Sequence, residues 1–241
     1  MAAQVLALLE LRGDERVLDI GCGDGRISAR IAAQLVPRGS VCGTDASVDM
    51  IGFAQRQHAD VPNLTFMVAD ASRLGMQAEF DAVVSFNALH WVPQLLPALR
   101  GLRAALLPNG RAWLRLVTQG PAVSLEAIAE QVRRDAEWAP HFAGFEDPYL
   151  RLTPEQVAAE ASTAGLTVLS LHTQLASWDF GSREKLFGFC SAGFGAWTQR
   201  LPDDRRNAFV NTVLDRYLAT REDVSHTVFR YYQTDLALSV A

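Results

Sequence analysis

Residues 17–32 read VLDIGCGDGRISARIA: an apolar, β-rich run ends at Ile20, meets Gly21, Gly23 and Gly25, and opens a helical pattern near Arg26. Glycines at alternate positions let the backbone turn tightly and approach a ligand with no Cβ in the way. A strand, a glycine turn and a helix in that order make the first crossover of a doubly wound sheet, whose ligands bind at the C-terminal edge of the strands. The stretch points to an architecture and to a site at once.

The rhythm continues outward. Strands are expected at Arg16 to Ile20, Ser40 to Asp45, Leu64 to Val68, Asp81 to Phe86 and Arg111 to Val117, with amphipathic helices at Arg26 to Leu35, Val48 to Gln57 and Leu95 to Leu107. Pro37 to Gly39, Pro62 with Asn63, and Pro108 to Gly110 read as the loops between helix and strand. After Val117 the alternation breaks. Ser124 to Trp138 reads as a helix, and a loop follows from Pro140 through Pro148 to Tyr149. Thr153, Pro154 and Gln156 then carry the chemistry of a capped helix start. A sixth strand is expected at Leu166 to His172, with Trp178 as its furthest extent, then helices at Ser182 to Gly193 and Pro202 to Ala219, and a closing strand at His226 to Val240. The expectation is one α/β domain with helical cap elements at about 119–164 and 180–222.

Composition narrows the function. The 241 residues are 49% hydrophobic and 20% charged, enough for a large core and unlike a disordered chain. Twenty-seven acidic against 22 basic residues give −5, opposite to a nucleic-acid footprint. Lys185 is the sole lysine, so a fixed positive site would be an arginine fork. Three cysteines without C-x-x-C spacing imply neither a disulfide framework nor zinc, and suggest reduced thiols in a cytoplasm. His141 and His172 stand without metal-ligand spacing. Val5 to Leu9, ended by Glu10 and Arg12, reads as a helix rather than a signal peptide, and Ala82 to Leu99 is too polar and proline-broken for a membrane span.

A dinucleotide fingerprint would place a third glycine where Arg26 stands, which weakens a nicotinamide reading. Asp19, just ahead of the glycines, would repel a pyrophosphate but could hold an ammonium, such as the one S-adenosylmethionine carries beside its sulfonium. VCGTDAS (41–47) ends the second strand on Asp45, where a carboxylate can accept from both ribose hydroxyls. FMVADAS (66–72) puts Asp70 after the third strand, positioned for an adenine amino group.

LDIGCGDG, Asp45, ADAS and FDAVVSFNALHWV together resemble the successive motifs of class I S-adenosylmethionine-dependent methyltransferases, over about Arg16 to Val117. The resemblance implies a Rossmann-like, seven-stranded, mostly parallel sheet with an antiparallel last strand. It also implies a cofactor site of Asp19, Gly21, Cys22, Gly23, Gly25, Asp45, Ala46, Met50, Asp70, Ala71 and Asn87. NALHWVPQ, then LRGLRAALLPNGRAWLRL, is similar to the small-molecule carboxyl methyltransferases of the trans-aconitate and juvenile hormone acid groups. One departure is that only 15 residues precede the first strand, with no counterpart of the family's N-terminal segment that often folds over the cofactor.

Methyl transfer from a sulfonium needs mainly an in-line nucleophile and exclusion of water. A carboxylate needs no general base, whereas a phenol benefits from one. His90 and Trp91 follow the fourth strand and should face the methyl group, His90 as donor to a substrate carboxylate or as base to a hydroxyl, Trp91 as wall and N–H donor. Arg115 could anchor a carboxylate, and Trp138, Tyr149, Trp197 and Tyr231 could wall an apolar cavity. The reading is a methyltransferase acting on a small molecule, with no nucleic acid, membrane or metal. Methylation of a hydroxyl, amine or carbon with His90 as base stands as the alternative, and a non-catalytic binding protein as the second.

Overall fold

The computed structural model describes residues 6, 8–147, 149–220 and 227–240. Seven strands, β1 (Arg16–Ile20), β2 (Ser40–Asp45), β3 (Leu64–Val68), β4 (Phe80–Phe86), β5 (Leu106–Thr118), β6 (Leu166–Asp179) and β7 (Val228–Val240), form one sheet in the order β3-β2-β1-β4-β5-β7-β6. β1 to β5 pair in parallel and the last strands complete the sheet antiparallel, as expected for the Rossmann-like class. The switch in order, with β1 between β2 and β4, opens a crevice at the C-terminal ends of the strands.

Two compact units make up the chain. The first comprises Met1–Thr118, Leu150–Thr173 and Gln233–Ala241. On one face of its sheet α3 (Leu95–Ala105) and α5 (Pro154–Thr163) bury Leu99, Leu102, Val157 and Ala161 with Leu18, Leu114 and Leu236. On the other face, Ile31 and Ala32, following α1 (Arg26–Arg30), pack with Val17, Val41 and Val84. Alternation along β1 and β5 sends successive side chains to these two cores, which is why the strands read as near-continuous apolar runs. The second unit, Gln119–Tyr149 and Gln174–Tyr232, contains α4 (Leu125–Val132), α6 (Arg183–Gly193), the short α7 (Gly195–Thr198) and α8 (Asp203–Ala219).

Three differences from expectation have local causes. Pro108 to Gly110 lies within β5 instead of ahead of it: Leu106 already pairs with Phe80, Arg111 with Ala82, and the intervening residues bulge out with Asn109 at φ 64. The first helix turns wide at Ile31–Leu35, closed by the Val36 N–H on the Ile31 carbonyl. Residues 150–164, expected in the cap, belong to the first unit, because Val157 and Ala161 of α5 join its core. The Thr153 and Gln156 capping box at the start of α5 is present. The expected Val5 to Leu9 helix, Pro148 and His226 fall partly or wholly outside the described residues; Leu6 and Leu9 are buried.

The Gly21 turn couples β1 to the loop after β4, since a Cβ at Gly21 would lie 2.1 Å from the Ala88 Cβ and the backbone holds φ 76. Gly21→Ala is expected to destabilise the protein by about 1–3 kcal/mol, measured by urea unfolding.

Candidate functional site

Parallel register sets Ile20 beside Thr44, Asp45 beside Val68 and Asp19 beside Val84, so β1 to β4 finish at one edge. There the glycine loop is stitched to β2. The Gly21 and Cys22 N–H groups donate to the Thr44 carbonyl at 2.7 and 2.8 Å, and the Gly23 N–H donates to Asp45 Oδ2 at 3.0 Å. The other oxygen of Asp45 accepts the Ser47 N–H at 2.9 Å, at the start of α2 (Val48–Gln57). Burial raises the Cys22 thiol far above its usual range, so it packs rather than reacts.

Asp19 is 2% exposed and accepts the Ser28 hydroxyl at 2.6 Å. Burial pushes its carboxyl up to about 6; Ser28 pulls the value down and the neighbouring charge of Asp45 raises it. Two carboxylates thus flank one glycine loop. Ser28 sits one helical turn after the last glycine, and sequence reading passed over it because a serine there has no pattern of its own.

Around them, Met50 lies on the first turn of α2, and its Cε lies 3.7 Å from a Cβ built on Gly23. Ala46 is exposed beside Asp45, and Asp70 caps the short turn that begins at Ala71, accepting the Ser72 N–H at 2.8 Å. Asn87 takes the left-handed conformation at φ 57 and donates its N–H to the Arg115 carbonyl at 2.7 Å. The loop after β4 is thereby turned toward Gly21.

His90 is 4% exposed. Its Nδ1 accepts the Val117 N–H at 3.3 Å, so the ring proton resides on Nε2, and burial lowers its pKa to about 4. Trp91 is 42% exposed, its ring 5.5 Å from that of His90. Arg115, expected as a substrate anchor, is 4% exposed, and its fork is filled from within: Nε and Nη2 donate to the two oxygens of Asp235 at 2.6 and 2.8 Å. It ties β5 to β7.

The remaining expected substrate residues lie in the second unit. Trp138 and Trp197, 1% and 0% exposed, belong to one aromatic chain through Phe209, Phe142 and the half-buried Phe145. The Trp197 indole donates to Glu130 at 3.0 Å, a carboxylate also held by Arg133. Tyr231 stacks on Phe229 in a different cluster, and burial and Glu126 raise the Tyr149 hydroxyl far above its usual range. Trp138 and Trp197 therefore act as core, and the ring of Tyr231 stacks on Phe229 apart from theirs.

Residues 17–110 match the model of a methyltransferase domain. Residues 17–110 thus carry a methyltransferase domain, and the chain is similar to the class I S-adenosylmethionine-dependent methyltransferases. It is 34% identical over 150 residues to trans-aconitate 2-methyltransferase of Methylobacterium radiotolerans, 61% of this chain and 54% of that one. It is 35% identical over 103 residues to juvenile hormone acid O-methyltransferase of Drosophila melanogaster, 41% and 35% of the two chains. The matches thus span about half or less of these relatives. Across 99% of this chain and 97% of the other, the fold matches the YcgJ protein of Bacillus with a TM-score of 0.70 at 18% identity.

The residues present fit the methyltransferase cofactor. The glycine backbone is open on the side of Gly23. Asp19 is a buried carboxylate that an ammonium would relieve, and each oxygen of Asp45 accepts one N–H and keeps room for a second donor. Asp19→Asn should show both sides of this arrangement. The folded-state value of about 6 lies above the ordinary 3.8. The wild-type protein without ligand therefore gains stability as pH falls from about 6 to about 4 and loses it as pH rises through 6. At pH 7 the Asn variant should unfold at higher urea, by up to about 3 kcal/mol, yet bind S-adenosylhomocysteine at least tenfold more weakly.

Proposed function

We propose that this methyltransferase transfers a methyl group to an oxygen of a small molecule, and that the acceptor is a carboxylate. The state of His90 carries the reading. With Nδ1 engaged by the Val117 N–H and its pKa near 4, the imidazole is neutral at physiological pH, carries its proton on Nε2 and has its basic lone pair already engaged. A donor suits a nucleophile that is already ionised; a phenol or alcohol would require a base. The relatives named for trans-aconitate and juvenile hormone acid support the same class of acceptor.

In this scheme the cofactor, when bound, supplies the activated methyl group. Asp19 holds its ammonium, Asp45 its ribose hydroxyls and Asp70 its adenine, while His90 orients the acceptor carboxylate and Trp91 walls it from water. A cytoplasmic setting goes with this reading, supported by three unpaired cysteines.

Incubation with methyl-labelled S-adenosylmethionine and a pool of small carboxylic acids should give label that mild alkali releases as methanol; base-stable label would contradict the carboxylate reading. His90→Ala should lower kcat/KM by about 10- to 100-fold through loss of a hydrogen bond to a charged group. Raising the pH to 9 should not restore it, as it would for a phenol deprived of its base.

A further inference from the structure

Behind the glycine loop sits a wedge of two rings. Phe66 of β3 fills the space that side chains at two glycines would need: its Cζ is 2.5 Å from a Cβ built on Gly25, and its Cδ1 is 2.7 Å from one built on Gly43. His58, the residue that ends α2, lies against it with ring centroids 6.1 Å apart, and Gln55 of the same helix donates to the Phe66 carbonyl at 3.1 Å. His58 Nε2 is 3.1 Å from the carbonyl oxygen of Asp24, inside the loop. A carbonyl only accepts, so the proton belongs on Nε2.

We propose that His58, seated on Phe66, is a positioning residue that fixes the Asp24–Gly25 peptide of the glycine loop for cofactor binding. This rests on the reading of that loop as the cofactor site. Gly25 holds φ 76, and a glycine passes readily between positive and negative φ, so the peptide before it can rotate unless its two ends are held. Its N–H is held by the Cys22 carbonyl at 3.0 Å, and its C=O by His58. The Asp24 side chain is engaged elsewhere, by the Arg26 N–H at 3.1 Å and Arg26 Nη2 at 2.6 Å. His58 thus gives the carbonyl a partner that the loop itself does not supply. The bond survives protonation of the ring, because Nε2 carries a proton in the cation as well.

Calorimetry with S-adenosylhomocysteine tests this in the wild-type chain and in two variants. His58→Ala should raise Kd about five- to tenfold, the worth of one hydrogen bond, and His58→Gln, which can still donate, should stay within about twofold of wild type. Equal affinity of wild type and His58→Ala overturns the proposal, as does a nitrogen-15 spectrum showing unprotonated Nε2 at neutral pH. A wild-type chain that does not bind the probe overturns the cofactor reading and the proposal with it. If His58→Ala does not fold, Gly43→Ala should weaken binding by pressing on Phe66, and adding Phe66→Leu should restore it. Failure of that restoration overturns the wedge.

Discussion

Three N–H groups of the loop after β1 end on the last two residues of β2: Gly21 and Cys22 on the Thr44 carbonyl, Gly23 on the Asp45 carboxylate. Within the loop, which turns through three left-handed glycines, the Gly25 N–H bonds the Cys22 carbonyl, and the bonds to β2 hold the rest of its shape. They also decide which groups face outward. Asp45 accepts one N–H on each oxygen, from Gly23 of the loop and from Ser47, and each oxygen keeps capacity for a second donor. Glycine is required here for two distinct reasons: Gly21 must pass against Ala88, and Gly25 must pass over Phe66.

The cost of the site is electrostatic. A carboxylate at Asp19 is buried next to Ser28 and within the field of Asp45, and folding alone would favour a neutral side chain there. An ammonium ligand reverses that preference. The same accounting applies to His90, which burial keeps neutral and a backbone N–H keeps in one tautomer. The first unit thus sets two carboxylates beside the glycine loop and holds a neutral imidazole after β4.

The sheet and the glycine loop were legible in the sequence because both are local. Period, turn residues and the glycine spacing lie within a few positions of one another, and β1, β2, β3 and α2 match their expected bounds. Sequence fails where the deciding partner is remote. Arg115 looks like a free fork until Asp235, 120 residues later, is placed on the neighbouring strand. Trp138 and Trp197 look like cavity walls because aromatic content does not reveal whether a ring faces a ligand or Phe209 and Phe145. Pro108 to Gly110 has the composition of a loop, and only the pairing of Leu106 with Phe80 shows that the strand has already begun. Residues 150–164 have the pattern of any amphipathic helix, so their allegiance to the first unit rests on which core Val157 and Ala161 enter.

We propose that the loop bounded by Asp19 and Asp45 holds S-adenosylmethionine. Calorimetric titration of S-adenosylhomocysteine into the wild-type chain and into Asp45→Ala tests it most directly. One site per chain is expected in the wild type, and an affinity at least about 30-fold weaker in the variant, from the loss of charge-assisted hydrogen bonds. Unchanged affinity in Asp45→Ala would contradict it.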